Sequence, residues 1–212
     1  MIAIVGVIYA VLLGFVVVVV WEQFGATDKV VGDEAAAVGN LYRDAVAFGA
    51  PGRTFRFAVR NYANSVANVE WRQMANHQTE NPGTDTALNA MWHAVKNLRA
   101  RNSTQQEFVS SSVSDVATVS TDRRTRIRDS ATGVPATLWA VLIAGAVICI
   151  AFSYFFGVQS FGAHALMVSA LAAIISLSLL VILTLNLPFT GDVALGPEAM
   201  QAEIHEFPSY RF

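Results

Sequence analysis

Three stretches of this 212-residue chain contain no charged residue, and each is about 20 residues long: residues 2–21, 137–157 and 165–185. A helix of about 20 residues rises about 30 Å, which is the thickness of the hydrocarbon core of a bilayer. Strands of a membrane barrel would alternate in polarity, and lipid does not tolerate an open sheet edge. We therefore predict an all-α integral membrane protein with three transmembrane helices.

The first apolar stretch is predicted to remain in the protein as a transmembrane helix. No basic residue precedes it and no A-x-A site follows it, although a cleaved signal peptide would show both. The predicted boundaries are residues 1–21 for the first span, 136–157 for the second and 165–187 for the third, with a tail over 188–212. The single cysteine, Cys149, lies in the second span and is expected to be a small apolar packing residue.

The polar region between the first and second spans, residues 22–134, carries 13 of the 14 Lys and Arg residues. The short loop between the second and third spans carries none. Because Lys and Arg accumulate on the cytoplasmic side of a membrane, we expect a cytoplasmic helical domain over residues 22–134. The tail then also lies in the cytoplasm, and the protein is predicted to be a multi-pass protein of the cell (inner) membrane.

Four arginines stand shortly before the second span, where they would lie close to the membrane surface. Such a cluster is typical of sites that contact anionic lipid head groups. Membrane lipid is therefore an expected partner, and nucleic acid is not, because the net charge of the chain is −2. The predicted head-group contacts are Arg123, Arg124, Arg126 and Arg128.

Apolar residues at helical spacing predict four helices in the domain. The first continues the first span as far as "GAPG" (49–52), and the second covers about residues 55–74. Thr84 is predicted to cap a third helix, and "STQQ" (103–106) resembles a capping box with Ser103 as the cap of a fourth. The tail has scattered apolar residues, which either dock as a short segment or stay mobile.

No motif of an enzyme or of a metal site is present in the sequence. The histidines are far apart and lack ligand spacing, and neither H-x-x-x-H nor C-x-x-C occurs. There is no nucleophile elbow, phosphate-binding loop or dinucleotide fingerprint. We therefore expect neither an enzyme, nor a cofactor, nor a metal site.

One face of the first span is a candidate pore lining. Val7, Val11 and Phe15 are four residues apart and therefore stack along one side of a helix. An apolar stripe of this kind ordinarily contacts lipid or another helix. If several copies surround an axis, the same side chains form apolar rings, which can gate ions by excluding water.

The sequence "NLPFTGD" ends the third span. Pro188 lacks a backbone N–H and disfavours a helical conformation at Leu187, so the helix is expected to stop there. The following "TGD" supplies a turn and an acidic exit, and a simple helix stop explains the segment without any further role.

Three segments resemble the bestrophin-like family of bacterial membrane proteins: residues 9–45, 152–173 and 186–198. The most specific mark of that family is the turn after the last span, formed by Pro188, Phe189, Thr190, Gly191 and Asp192. Many members carry a further span upstream, so the resemblance leaves the topology at the N-terminal end open.

A more distant similarity connects "AVLLGF" (10–15) with the neck helix of true bestrophins, which are pentameric anion channels. The resemblance implies that Val7, Val11 and Phe15 occupy the neck positions. Bestrophins follow the phenylalanine with Arg-Asn, where this chain has Val16 and Val17, and their acidic calcium clasp has no clear counterpart here.

The functional expectation is a homo-oligomeric ion channel with an apolar neck on the first helix, and the resemblance to bestrophins suggests anions as the permeant ions. The alternative is a non-conducting membrane scaffold whose cytoplasmic helices bind a partner protein or lipid.

Overall fold

The computed structural model describes residues 2–78, 81–154 and 161–208. All regular elements in these residues are helical: α1 Ile2–Ala47, α2 Arg53–Ser65, a π-helical turn Val66–Glu70, α3 Trp71–Ala75, α4 Pro82–Lys96, α5 Ser103–Ala131, α6 Ala136–Ser153, α7 Phe161–Leu185 and α8 Glu198–Glu206. Within the described residues, α1, α6 and α7 are long and apolar enough to cross a membrane. The prediction of an all-helical membrane protein with three candidate spans is confirmed.

The first half of α1 packs with α6 and α7 to form the membrane part. Tyr9, Leu13, Val16 and Val20 of α1 are buried against α6 and α7. The Tyr9 hydroxyl donates a hydrogen bond of 3.0 Å to the carbonyl of Leu142, and the ring lies over a glycine of α6 that leaves room for it. Their burial fixes which side of α1 faces the other two spans.

The second half of α1 is the central element of the helical domain. Val38 and Leu41 of α1 are fully buried together with Val59 and Tyr62 of α2 and Met91 of α4. The long helix α5 packs along α1. Since α1 is one unbroken helix of 46 residues, about 69 Å long, it connects the membrane part to the domain without a joint.

Two helix starts differ from the predicted ones. Asn81, and not Thr84, caps α4, because its side chain accepts hydrogen bonds from the backbone N–H groups of Gly83 and Thr84. Thr84 is buried in the first turn and pairs instead with Ser65. Likewise Asn102, and not Ser103, caps α5 by accepting from the N–H of Gln105.

The helices α6 and α7 overlap the stretches that were predicted to form the second and third spans. α6 begins after Pro135 and ends at Ser153, and the predicted end of this span at residue 157 lies outside the described residues. α7 is described from Phe161 to Leu185, so it includes the four residues before the predicted start at 165 and ends two residues before the predicted end at 187.

The tail docks on the domain as far as it is described. Within α8 and directly after it, Met200 and Phe207 are buried. The ring of Phe207 stacks on Tyr42 of α1 with centroids 4.1 Å apart. Of the two outcomes that the sequence left open for the tail, the structure shows docking through residue 207.

Candidate functional site

The first candidate site is the side of α1 that the rest of the chain leaves uncovered. The predicted neck residues Val7, Val11 and Phe15 lie on it and are 62%, 67% and 67% exposed. The same side continues through Val18 and Glu22. These positions are three, four or seven residues apart, so they follow one line along the helix.

The line of exposed positions passes from the membrane half of α1 into the polar half without interruption. Gly25, Gly32 and Ala36 continue it and are exposed. A side chain added at either glycine would meet no atom within 4 Å. We call the whole line the uncovered face of α1, formed by Val7, Val11, Phe15, Val18, Glu22, Gly25, Lys29, Gly32 and Ala36.

The second candidate site is a buried ion network on the opposite side of α1. Arg126 of α5 donates from Nε to Glu34 of α1 at 2.6 Å and from Nη2 to Glu70 at 2.7 Å. Arg123 donates from Nη2 to the other oxygen of Glu70 at 2.6 Å and is also paired with Asp85 of α4. Four parts of the domain therefore meet in one set of charges.

A buried phenol completes the network. The hydroxyl of Tyr62 in α2 donates a hydrogen bond of 2.6 Å to Glu34. Burial raises the pKa of Tyr62 well above its usual value, and the neighbouring Glu34 carboxylate raises it further. Tyr62 therefore remains a hydrogen-bond donor throughout the physiological pH range.

The two arginines of the network stay charged although they are buried. Burial by itself lowers the pKa of Arg126, but the charge and the hydrogen bonds of Glu34, together with the charge of Glu70, raise it above the usual value. The pKa of Arg123 is likewise raised, because the pairing with Glu70 and Asp85 outweighs burial. Such pairing is what makes a buried charge tolerable.

The structure corrects the predicted lipid contacts at two of the four arginines. Arg123 and Arg126 are buried inside the domain, and their donors are directed at carboxylates, so they are not available to lipid head groups. Arg124 and Arg128 are exposed. Arg123 and Arg126 are three residues apart and lie on the side of α5 that faces α1 and the π-helical turn. Arg124 and Arg128 lie on the other side of α5 and face water.

The π-helical turn Val66–Glu70 positions the acidic partner of both arginines. A π turn inserts an extra residue into a helix and shifts the register of the next helical turn. Here Glu70 is the last residue of the π-helical turn and Trp71 the first residue of α3, and both are buried. Glu70 therefore reaches the arginines while Trp71 reaches the segment after α7.

The turn after the last span lies directly against Trp71. Phe189 is buried and its ring meets that of Trp71 edge-on, with centroids 5.6 Å apart. The Trp71 indole N–H donates to the carbonyl of Leu195 at 2.9 Å, and the Leu195 N–H donates to the carbonyl of Pro188 at 2.7 Å. The family motif therefore forms a closed turn that packs on the domain.

Within the motif, the individual residues do different things. Gly191 has a φ of +88°, a conformation that glycine adopts without strain. Pro188 is buried with Phe189, whereas Asp192 is exposed. Thr190 makes a long contact of 3.5 Å from its hydroxyl to the carbonyl of Leu187. The motif is thus more than a helix stop, because Phe189 anchors the end of α7 to the domain.

A separate polar contact joins the start of α6 to the end of α7. The side-chain oxygen of Asn186 accepts a hydrogen bond of 2.5 Å from the backbone N–H of Val134. A side chain at Gly133 would overlap Asn186, so the glycine permits this approach. The connection from α5 to α6 is fixed to the end of α7 as a result.

A pair of partly buried carboxylates lies between the end of α1 and α5. Burial raises the pKa of Asp44, and the nearby Asp115 carboxylate raises it further, against the lowering effect of hydrogen bonds from Ser112 and Ser111. The Ser112 hydroxyl donates to Asp44 at 3.1 Å. Burial also raises the pKa of Asp115. Among the described residues, no three His, Cys, Asp or Glu side chains are grouped so that they could hold a metal ion.

Sequence reasoning identified α1 and the motif turn but missed the ion network. Glu34, Glu70 and Tyr62 carried no motif, and Arg123 and Arg126 were assigned to the surface. One signal was present in the sequence. Arg123 and Arg126 are three residues apart on the side of α5 that also carries Val116 and Val119, which are buried.

The comparisons with known proteins agree on the fold. The family model described as the bestrophin-like domain matches residues 1–200. A crystal structure of a point variant of a bacterial bestrophin homologue from Klebsiella pneumoniae is similar, with a TM-score of 0.79 and 14% sequence identity. The similarity covers 99% of this chain and 86% of that one. No curated protein gives a significant match.

The family match covers residues 1–200, which include the turn that Phe189 anchors against Trp71. The spans, the long first helix and the fold of the Klebsiella homologue agree with it. This chain therefore belongs to the bestrophin-like family.

Proposed function

We propose that this chain forms a homo-oligomeric ion channel in the inner membrane of a bacterium, and that it is not an enzyme. In this arrangement α1 surrounds the central axis, and Val7, Val11 and Phe15 form the neck. Residues 22–134 and the tail form a vestibule in the cytoplasm. The membership in a family whose named structural relative is a bestrophin homologue supports this proposal.

The observation that carries the proposal is the uncovered face of α1. Exposed apolar residues also occur on α6 and α7, where lipid accounts for them. The uncovered face of α1 differs because it continues along the exposed residues Gly25, Gly32 and Ala36, in the part of the helix that lies in the cytoplasm in the proposed orientation. A helix face that other parts of the chain leave uncovered both in the membrane and beyond it is expected where copies of that helix surround a shared aqueous axis.

The neck would act as a gate through its apolar character. Val7 and Phe15 are eight residues apart, so the constriction is about 12 Å long. Rings of apolar side chains exclude water from a narrow pore, and ions that lose their hydration cannot pass. Widening such a ring admits water and therefore ions.

The exposed arginines Arg124 and Arg128 stay candidates for contacts with anionic lipid head groups. They lie near the end of α5, shortly before Pro135 and the start of α6, which puts them close to the membrane surface in the proposed orientation. An exposed arginine near an anionic surface gains about 1 kcal/mol.

Conductance in planar bilayers tests the proposal. Purified protein is expected to give single-channel currents, and Phe15→Ala is expected to increase the open time or the leak, because it removes the largest side chain of the neck. Phe57→Ala is a matched control, since Phe57 is 72% exposed on α2 and outside the membrane part. The same preparation must be oligomeric in detergent, because one α1 helix cannot enclose an axis.

The other candidate function is a non-conducting scaffold. Exposed apolar residues on the domain, among them Phe57 and Val113, favour a protein partner bound through the helices of residues 22–134. Absence of current at all voltages and pH values, together with a monomeric particle, would reject the channel and leave the scaffold.

A further inference from the structure

The uncovered face of α1 carries its first charge at Glu22. The 20 residues before Glu22 contain no Asp, Glu, Lys or Arg. Glu22 follows Val18 by four residues and Phe15 by seven, so it lies on the same line as the neck residues. It is exposed, and it makes no ion pair with any residue that the structure describes.

The basic residues on this side of α1 lie farther from the neck, and each has an acidic neighbour. Lys29 forms an ion pair with Asp33 one turn further on. Arg43, near the end of α1, lies 4.0 Å from the carboxylate of Glu203 in α8. Between Phe15 and Lys29 the uncovered face therefore presents a negative charge that no cation on the face neutralises.

We infer that Glu22 determines the charge selectivity of the pore and that the permeant ions are cations. This inference rests on the proposed function, since it requires copies of α1 around an axis. In that arrangement one Glu22 from each copy forms a ring of carboxylates, about 10 Å below Phe15 along the helix.

The physical reason is the position of the ring at the mouth of an apolar constriction. Rings of Asp or Glu side chains select cations in channels, and rings of Arg or Lys select anions. The neck supplies no charge or hydrogen-bond donor from its own side chains, so it does not favour either sign. The ring lies about 10 Å from Phe15 along the helix, slightly more than the Debye length of about 8 Å at physiological ionic strength, so its field reaches the entrance of the neck only partly screened. Charge on the walls of a narrow cleft raises the local concentration of the oppositely charged ion.

Reversal potentials in planar bilayers with unequal KCl concentrations test the inference. The wild-type protein is expected to pass K⁺ in preference to Cl⁻. Glu22→Gln is expected to shift the permeability ratio of K⁺ to Cl⁻ toward 1, because it removes the acidic ring, and Glu22→Lys to reverse the preference. Glu107→Gln is the matched control, because it removes the same charge from an exposed position on α5 and should leave the ratio unchanged.

The results of this experiment distinguish a failure of the role of Glu22 from a failure of the proposed channel function. Currents that prefer Cl⁻, or a ratio that Glu22→Gln leaves unchanged, would overturn the role of Glu22 while the channel itself stands. Absence of current in the wild-type protein would reject the channel and the selectivity together. All variants must elute as the same oligomer, which the exposed position of Glu22 leads us to expect.

Discussion

The guanidinium carbon of Arg126 lies 5.0 Å from the ring centroid of Trp71. On one side of this pair Arg126 is bonded to Glu34 of α1. On the other side Trp71 contacts Phe189, directly after the last span. The first helix and the end of the third span are thus joined through one buried arginine and one indole, so a displacement of either end must be accommodated at this pair.

Replacing Arg126 is expected to destabilise the protein strongly. Arg126→Met keeps most of the side-chain volume but leaves the carboxylates of Glu34 and Glu70 without their shared partner. Removing one partner of a buried ion pair costs about 3–5 kcal/mol. Thermal unfolding in detergent, followed by tryptophan fluorescence, measures the loss, at roughly 2–4 °C for each kcal/mol in a chain of this size. Arg124→Met is the control, and an equal loss in both variants would contradict the assigned role.

Phe189 is expected to contribute far more to the stability of the folded protein than an exposed phenylalanine does. Phe189→Ala removes a buried ring from the contact with Trp71, which costs about 3–5 kcal/mol in a packed core. Phe57→Ala changes the same residue type at an exposed position and should lie within about 0.5 kcal/mol of wild type. Equal unfolding temperatures for the two variants would show that the motif turn does not anchor α7.

Gly145 in α6 is expected to tolerate no side chain. A methyl group there would overlap the ring of Tyr9. The ring would have to move, which would break the hydrogen bond from the Tyr9 hydroxyl to the carbonyl of Leu142. Overpacking of this kind costs about 1–3 kcal/mol. At Gly162 of α7 the added methyl group meets no atom within 4 Å, so Gly162→Ala serves as the control. An unfolding temperature for Gly145→Ala as high as that of the control would contradict the packing of α1 on α6.

The carboxylate of Asp44 is expected to make stability depend on pH. Because its pKa is higher in the folded than in the unfolded protein, its favourable contribution is complete below the unfolded pKa, about 3.9 for an ordinary aspartate, and is lost as pH rises through the folded pKa. Asp44→Asn should therefore raise the unfolding temperature at pH 7.5. The gain should shrink as pH falls and disappear near pH 4, and a gain that is constant with pH would contradict burial as the cause.

The membrane part was predictable because lipid imposes a simple requirement on composition. Any uncharged stretch of about 20 residues must satisfy its backbone internally, which leaves a helix as the outcome. The continuation of α1 to Ala47 was also predictable, since apolar residues kept their helical spacing until the turn at Gly49. The family resemblance located the turn at Pro188 and is confirmed by the match over residues 1–200.

The ion network was not predictable, because its members are distant in the chain. Glu34 and Arg126 are 92 residues apart, and Glu70 and Arg126 are 56 apart. An arginine cluster before a span has the same composition whether it faces lipid or a buried carboxylate. The π-helical turn, which turns Glu70 inward, has no sequence signal that distinguishes it from a regular helix, so only the packed structure separates Arg126 from Arg128.

The most direct test of the central claim is the accessibility of a cysteine at Val11 to a charged, water-soluble thiol reagent. In a Cys149→Ala background and while current flows, Val11→Cys is expected to react at least about tenfold faster than Ile143→Cys on the lipid-facing side of α6, because the open neck admits water and a reactive thiolate needs water, and its modification should reduce the current. Both side chains are exposed in the single chain, so only assembly around an aqueous axis distinguishes them. Equal rates at the two positions, or modification of Val11→Cys without an effect on the current, would contradict the assignment of α1 to the pore.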